Sequence, residues 1–254
     1  MTSKIRVIKK GTGQALLVLH GWGMNQSVWS SVAEDLEKNF TVYWVDLAGH
    51  GMNRDIALVN IETSSALIAA KIPKQTLILA WSLGGLIAQQ IASQFPKKVS
   101  RLCLVASSPC FVQKSDWSTA MPASLLENFM ENLRNDFSAT LKQFLVLQFL
   151  GVRGVRLQLK QLQAELLEDP PTEQALIDGL AILQSADFRQ ANIHTKIPTH
   201  WILGKLDRLV PITLTPVLEQ WENTSVTQIA KAGHAPFISH PKEFLKAVFE
   251  TFQK

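Results

Sequence analysis

The sequence predicts an α/β protein with a mostly parallel central sheet, flanking helices and a helical cap inserted into the core. Two observations support this prediction. Short apolar runs alternate with segments of helical periodicity over residues 1–110 and 191–254, whereas residues 111–190 show helical periodicity only. Because strands that alternate with helices form parallel sheets, we expect the two outer segments to build one core and the middle segment to form the cap.

Apolar runs bounded by turn residues place the strands of the core. Residues 5–8 alternate apolar and charged side chains, which is typical of an edge strand, whereas residues 15–19 form a continuous apolar run, which is typical of a buried one. Further strands are predicted at 41–45, 76–80, 99–106, 199–204 and 226–230, and helices at 28–36, 62–70, after Gly85 and at 244–252. In the middle segment, apolar residues recur at helical spacing from Leu125 to Leu183 and predict about four helices.

The stretch around Ser82 organises the rest of the chain. A buried strand ending at Ala80 gives way to a helix after Gly85, so Ser82 lies at the bend between them. Such an elbow exposes the serine hydroxyl and aims the amide of Leu83 at any negative charge that forms beside it. The usual pattern is Gly-x-Ser-x-Gly, and Ala80 replaces the first glycine. The simpler alternative is that Ser82 only caps the helix.

Two residues downstream complete a nucleophilic set. Asp207 and His234 each follow a predicted strand, so the order along the chain is Ser, Asp, His, which is the order of the α/β-hydrolase arrangement. A serine hydroxyl needs a base, a histidine with a pKa of about 6.5 can serve as that base, and a carboxylate fixes the tautomer of the imidazole. The rival base is His240, and the rival acids are Asp178 and Asp187 in the predicted cap or its exit.

The loop His20-Gly21-Trp22-Gly23 follows the first buried strand at its carboxyl end, where open α/β sheets bind ligands. Its glycines let the amide of Trp22 turn inward as a second oxyanion donor beside Leu83. Since His20 precedes the nucleophile in the chain, we interpret it as a residue that orients this loop, and not as the base. Asp46, before a glycine turn, is interpreted as a residue that bonds the amides of its own loop.

Composition limits the remaining function classes. The chain has 254 residues, 46% of them hydrophobic, which suits one large domain. Cys103 and Cys110 are its only cysteines, which favours a reducing compartment, and we find no apolar run of the length of a signal peptide or a membrane span. Metal-ligand spacing, a complete dinucleotide motif and interleaved aromatic and basic residues are missing from the sequence. We therefore expect a cytoplasmic protein with no metal, no cofactor, no nucleic acid partner and no membrane.

Positive charge gathers in the predicted cap. Arg153, Arg156 and Lys160 are spaced i, i+3, i+7, so they share one face if that turn is helical, and Lys142 precedes them. A solvated surface is the ordinary interpretation of such a stripe. The alternative is a docking face for an acidic partner.

Three further stretches are more specific: Trp81–Leu86, Val105–Phe111 and His234–Pro241. Together with Ser82, Asp207 and His234, they make the chain resemble the pimeloyl-[acyl-carrier protein] methyl ester esterase family of biotin synthesis, within the α/β-hydrolase superfamily. The resemblance covers essentially the full length and is weakest in the cap. It implies a serine carboxylesterase that works without a cofactor, through an acyl-enzyme, on the methyl ester of a carrier-bound pimeloyl chain.

The resemblance also implies where the substrate binds. The acyl chain would thread between cap and sheet, past these residues: Trp22, Ser82, Leu83, Phe144, Leu145, Val146, Leu147, Gln148 and His234. The acidic carrier would meet Lys142, Arg153, Arg156 and Lys160, although Ala139 and Gln143 stand where the family can carry arginine. We expect a monomer. The triad alone does not separate this esterase from a general short-chain carboxylesterase, a C–C bond hydrolase or a non-turnover ligand receptor of the same fold.

Overall fold

Residues 4–191, 193 and 196–253 are described by a computed structural model of the chain. They form seven strands: β1 (Ile8–Lys10), β2 (Gln14–Leu19), β3 (Phe40–Val45), β4 (Thr76–Trp81), β5 (Val99–Val105), β6 (Thr199–Gly204) and β7 (Thr224–Ile229). The strands build one sheet in the order β1-β3-β2-β4-β5-β6-β7, in which only the β1–β3 pair is antiparallel. The predicted α/β class with a mostly parallel sheet is confirmed.

Ten α-helices accompany these strands in the described part of the chain: α1 (Ser30–Asn39), α2 (Ile61–Ala69), α3 (Leu83–Gln94), α4 (Ala123–Asn135), α5 (Phe137–Gln148), α6 (Arg156–Glu168), α7 (Glu173–Ser185), α8 (Thr215–Leu218), α9 (Pro236–Ser239) and α10 (Pro241–Phe252). Short 3-10 helices occupy Gln26–Trp29, Gly51–Asn53, Pro96–Lys98 and Ile212–Leu214. Every residue of β4 is buried, so both faces of the centre of the sheet are covered.

The first strand begins later than the sequence predicts, at Ile8 and not at Ile5. The cause lies far along the chain. The backbone N–H of Arg6 donates to Asn53 Oδ1, and the Asn53 side-chain amide donates to the carbonyl of Arg6, so these backbone groups bond a side chain and not a neighbouring strand. Ile5 is buried in the hydrophobic core.

The helices α4 to α7 lie between β5 and β6, in the segment where about four helices are predicted. Side chains mark where two of them begin, since Asp136 accepts the amide of Ala139 at the start of α5 and Thr172 accepts that of Ala175 at the start of α7. That this segment works as a cap over a core of residues 1–110 and 191–254 stays a prediction. Residues 1–3, 192, 194, 195 and 254 of that core lie outside the described residues.

Ion pairs join the two chain segments that connect α4–α7 to the sheet. Arg189, after α7, contacts Asp116, before α4, at 2.8 Å, and also Asp187 at 2.8 Å. Lys114 reaches Asp187 from the other segment at 3.0 Å. The hydrogen bond from Arg189 holds the pKa of Asp187 well below its ordinary value. Ion pairs therefore hold the chain segment before α4 against the segment after α7.

Candidate active site

Ser82 stands between β4 and α3 with φ +54° and ψ −118°, in a region that non-glycine residues rarely adopt. Glycines make this sharp turn possible. A Cβ on Gly84 would lie 2.5 Å from the carbonyl oxygen of His20, and a Cβ on Gly85 would lie 2.2 Å from Ser107 Oγ. The first turn of α3 therefore packs directly against the ends of β2 and β5. The strand-to-helix elbow predicted at Ser82 is present, with Ala80 in the place of the first glycine.

Asp207 follows β6, His234 follows β7, and both side chains converge on Ser82. His234 Nε2 lies 2.9 Å from Ser82 Oγ, and His234 Nδ1 lies 2.8 Å from Asp207 Oδ2. Because an ionised carboxylate can only accept, Nδ1 carries the proton and Nε2 is free to accept from the serine hydroxyl. The three residues that were widely separated in the sequence thus form one hydrogen-bonded chain.

Both partners of Ser82 are held in place from behind. Asp207 Oδ1 accepts the amides of Leu209 and Val210 at 2.8 and 3.0 Å, which leaves Oδ2 for the imidazole. The backbone of His234 is fixed twice: its carbonyl accepts Trp81 Nε1 at 2.8 Å, and its N–H donates to the carbonyl of Gln148 at 3.0 Å. The imidazole is therefore positioned by both the sheet and α5.

The reacting groups are shielded from solvent. The exposed fractions of Ser82, Asp207 and His234 are 4%, 7% and 1%. Trp22 lies in this enclosed region, with its ring centroid 4.6 Å from that of Phe144 on α5 and its Nε1 donating to the carbonyl of Leu176 on α7 at 2.9 Å. The helices α5 and α7 thus both contact Trp22, which follows the carboxyl end of β2.

The two expected oxyanion donors flank the serine. The loop of Trp22 lies against the elbow so closely that a Cβ on Gly21 would be 3.1 Å from Ser82 Cβ. Leu83 is the first residue of α3, where amides have no intrahelical acceptor. Among the residues that the structure describes, neither the Trp22 amide nor the Leu83 amide donates to a protein acceptor. Both N–H groups are available to a negatively charged oxygen beside Ser82.

Residues 16–247 match the sequence model of the alpha/beta hydrolase family. The chain belongs to this family. It is 40% identical over 242 residues to the pimeloyl-[acyl-carrier protein] methyl ester esterase of Pectobacterium carotovorum subsp. carotovorum, covering 94% of each chain. The esterase of the same name from Salmonella heidelberg is 40% identical over 235 residues, covering 92% of this chain and 91% of the relative.

Solved structures of two other proteins superimpose on nearly the whole chain. An esterase from Exiguobacterium antarcticum matches with a TM-score of 0.89 at 20% identity, covering 98% of this chain and 96% of its own. A bromoperoxidase from Bacillus anthracis matches with a TM-score of 0.86 at 19% identity, covering 98% and 95%. At this level of sequence identity, the two matches show that the fold is shared and indicate nothing about function.

His20 and Asp46, near the triad, form hydrogen bonds with the backbone of nearby loops, as the sequence suggests. His20 is fully buried; its Nε2 accepts the amide of Leu47, and its Nδ1 contacts the carbonyl of Gly21. Burial lowers the pKa of His20 to about 4, so the ring is neutral. Asp46 accepts the amides of Gln26 and Met52 and thereby orders its own turn. His20 and Asp46 support the architecture around the site and do not contact Ser82.

The predicted acyl-binding segment of α5 divides between interior and surface. Phe144, Leu145 and Gln148 are buried, Leu147 is half-buried, and the side chain of Val146 is 45% exposed. Gln148 Nε2 is a buried donor without a partner in the described part of the chain. Phe144 therefore packs against Trp22, whereas Val146 lies on the surface.

The basic residues expected to meet the carrier all lie on the surface. Lys142 is exposed on α5, and Arg156 and Lys160 are exposed on α6. The condition under which Arg153 would share their helical face is not met, because α6 begins at Arg156 and Arg153 lies in the bend before it. Arg156 and Lys160, four residues apart, do share one face.

Sequence reasoning missed residues that hold the site without reacting. The sequence marks Trp81 only as part of a motif, yet its indole N–H donates a hydrogen bond to the backbone carbonyl of His234 and so holds that loop in place. Ser107, two residues after β5, donates from Oγ to the carbonyl of Ser82 at 2.9 Å. The available signal was a small hydroxyl residue at the end of the strand next to β4. Gly179 on α7 gave no signal, but a Cβ there would lie 2.7 Å from Trp22 Cδ1.

Over the described residues, no group of three or more His, Cys, Asp or Glu side chains is arranged to hold a metal ion. Within the same part of the chain, no helix has the length and apolar character needed to cross a membrane.

Proposed function

We propose that this hydrolase is a serine carboxylesterase that acts on the methyl ester of a pimeloyl chain attached to the acyl-carrier protein. The observation that carries the proposal is the unbroken set of hydrogen bonds from Ser82 through His234 to Asp207, at 2.9 and 2.8 Å. The substrate is inferred from the curated relatives of that name, which are 40% identical over more than nine-tenths of this chain.

The first half of the reaction forms an acyl-enzyme. Ser82 Oγ attacks the ester carbonyl carbon while His234 Nε2 takes the hydroxyl proton, and Asp207 stabilises the imidazolium that results. The negative charge on the former carbonyl oxygen is received by the amides of Trp22 and Leu83. When the C–O bond to the methoxy group breaks, His234 returns the proton to that oxygen, and methanol leaves.

The second half uses the same groups with water as the nucleophile. His234 accepts a proton from water as it attacks the acyl carbonyl, and the same two amides receive the oxyanion. Collapse of the intermediate breaks the bond to Ser82 Oγ, which regains its proton from His234. A free carboxyl group at the end of the pimeloyl chain is released, and the acyl-carrier linkage is untouched.

In this proposal residues 111–190 act as a cap, and the acyl chain lies between the cap and the carboxyl ends of the strands. The buried side chains of Phe144 and Leu145, with Trp22 packed against Phe144, suit a hydrocarbon chain, and the buried amide of Gln148 suits its one ester group. The set of reacting groups is complete within one chain, so the enzyme works as a monomer. We place the reaction in the cytoplasm, where the two free thiols of Cys103 and Cys110 remain reduced.

The substitution Ser82→Ala tests the reaction. We expect hydrolysis of carrier-bound pimeloyl methyl ester to fall by about 10⁶-fold, the loss seen for a serine protease nucleophile, because the variant lacks the oxygen that forms the acyl-enzyme. The measurement is methanol release, with thermal unfolding to check the fold. Ser64→Ala, which removes a buried hydroxyl bonded to the carbonyl of Leu58, is the matched control and should retain activity. Appreciable hydrolysis by Ser82→Ala would show that another nucleophile acts.

Charge reversal tests the carrier surface. In the double variant Arg156→Glu/Lys160→Glu we expect KM for the carrier-bound ester to rise about tenfold, with no change for a free pimeloyl ester, because rim charges steer a charged partner. The effect should shrink at high salt, which screens such charges. The control is Lys74→Glu/Lys97→Glu, a reversal of exposed lysines just before the amino ends of the central strands β4 and β5. Equal effects on both substrates would make the basic face an ordinary solvated surface.

A further inference from the structure

Ser107 is a fully buried serine that the reaction steps above do not use. Its exposed fraction is 0%, and its hydroxyl donates a 2.9 Å hydrogen bond to the carbonyl oxygen of Ser82. The same carbonyl accepts the N–H of Gly85 at 2.9 Å. The carbonyl of the nucleophile is therefore held by two donors, one from the turn itself and one from the neighbouring strand.

This carbonyl belongs to the peptide whose other end is the Leu83 amide. A trans peptide is planar, with C=O and N–H pointing in opposite directions, so fixing the oxygen also fixes where the N–H points. The Leu83 N–H has no acceptor within the described protein, whereas the Ser82 carbonyl of the same peptide accepts two hydrogen bonds. Hydrogen bonds that share a peptide also polarise one another, which makes the free N–H a better donor.

The surrounding backbone explains why such an anchor is needed. Ser82 has φ +54°, and Ala106, directly before Ser107, has φ +43°, so two non-glycine residues in sparsely populated conformations lie on adjacent strand ends. Strained backbone persists only where its surroundings fix it. The hydroxyl of Ser107 occupies the space that a side chain on Gly85 would fill, since a Cβ there would be 2.2 Å from Ser107 Oγ. The absence of a side chain on Gly85 and the hydroxyl of Ser107 are matched features.

We propose that Ser107 is a positioning residue for the oxyanion hole: its hydroxyl orients the Ser82–Leu83 peptide and thereby aims the Leu83 amide at the tetrahedral oxyanion. The proposal rests on the role of Leu83 in the proposed function. It requires no contact between Ser107 and the substrate.

The test is Ser107→Ala, followed by the pre-steady-state burst of p-nitrophenol from p-nitrophenyl acetate. Removing a whole oxyanion donor costs about 10²–10³-fold, so a donor that is present but misaligned should cost about tenfold in acylation rate. We expect KM and the burst amplitude per enzyme to stay unchanged. Affinity for butylboronic acid, which forms a tetrahedral adduct with a serine hydroxyl, should fall by the same factor as the rate.

Two further variants keep the test decisive. Ser108→Ala removes the adjacent buried hydroxyl, which bonds the carbonyl of Cys110 and not the elbow, and should behave as wild type. Ser107→Cys retains the volume with a weaker donor, so its acylation rate should lie between that of wild type and that of Ser107→Ala. If the alanine variant does not fold, a rate below that of wild type in Ser107→Cys, at full burst amplitude, carries the test.

Three outcomes separate the explanations. A lower burst amplitude with an unchanged rate per active site would reduce Ser107 to a structural residue and overturn the proposal. Wild-type rates and boronic acid affinity in both Ser107 variants would also overturn it. If wild type gives a normal burst but does not release methanol from the carrier-bound ester, the proposed substrate fails while the role of Ser107 is still tested by p-nitrophenyl acetate.

Discussion

At the scale of single residues, the two oxygens of Asp207 have different tasks. Oδ1 accepts two backbone amides, and Oδ2 accepts the proton-bearing Nδ1 of His234. In Asp207→Asn, the side-chain oxygen can keep the backbone bonds only by turning an NH₂ group toward the imidazole. That donor favours the tautomer with the proton on Nε2, which cannot accept from Ser82.

We therefore expect Asp207→Asn to lower kcat by about 10³–10⁴-fold, as the corresponding change does in the serine protease template, with little change in unfolding temperature. Initial rates with p-nitrophenyl acetate measure this loss. The rival acid provides the control: Asp178 accepts a hydrogen bond from Gln174 in its own helix, far from the imidazole of His234 in the chain, so Asp178→Asn should remain active. The assignment fails if these two variants lose activity equally.

The residues that react could be predicted from the sequence, and those that hold them could not. Ser82, Asp207 and His234 follow strands in a fixed order, so short motifs reveal them. Ser107 and Trp81 act through a hydroxyl and an indole N–H whose acceptors lie on other elements, 25 and 153 positions away. Such bonds depend on the direction of a side chain after packing, and local sequence does not encode that direction.

At the scale of elements, α7 bears directly on the oxyanion loop. A Cβ on Gly179 would lie 2.7 Å from Trp22 Cδ1 and 3.2 Å from Leu83 Cδ2, and Trp22 is also bonded to the carbonyl of Leu176. Gly179→Ala gains about 1 kcal/mol of helix propensity. Overpacking a core typically costs about 1–3 kcal/mol, so the balance favours destabilisation.

The expected result for Gly179→Ala is a small net loss of unfolding free energy, of about 1 kcal/mol, with a clear fall in kcat because Trp22 is displaced. Urea unfolding and esterase rates are the two measurements. Ala181→Gly, two residues along the same helix, reports the effect of propensity alone and should lower stability without a comparable loss of kcat. A more stable and fully active Gly179→Ala would mean that α7 yields at this contact.

Element boundaries depart from the sequence prediction where a distant side chain decides them. The edge strand starts at Ile8 because Asn53 bonds both backbone groups of Arg6. The strands and helices of the sheet layers were predictable because their periodicity extends over many residues, whereas an end is set by one or two contacts.

At the scale of the whole molecule, two buried histidines make the fold sensitive to acid. His20 and His50 are fully buried with ring centroids 5.2 Å apart, and His50 Nε2 has no partner in the described residues. Burial lowers the pKa of His20 to about 4 and that of His50 to about 3. In the unfolded chain both should titrate at about 6.5.

The pKa values of His20 and His50 are lower in the folded protein than in the unfolded chain. Unfolding therefore takes up protons at pH values between about 4 and 6.5. The stabilising contribution is complete above about pH 6.5 and is lost as the pH falls toward 4, at up to about 1.4 kcal/mol per pH unit for each histidine. We expect the urea-derived unfolding free energy to decline steadily as the pH falls from 6.5 to 4.5.

The substitution His50→Gln tests this expectation. It should lower the slope of unfolding free energy against pH by up to about 1.4 kcal/mol per pH unit, which corresponds to one proton fewer taken up on unfolding. Equal slopes in His50→Gln and wild type would contradict this prediction. They would mean that the His50 ring of the wild-type protein is charged in the folded state, next to a second buried imidazole and without a hydrogen-bond acceptor for Nε2 in the described residues.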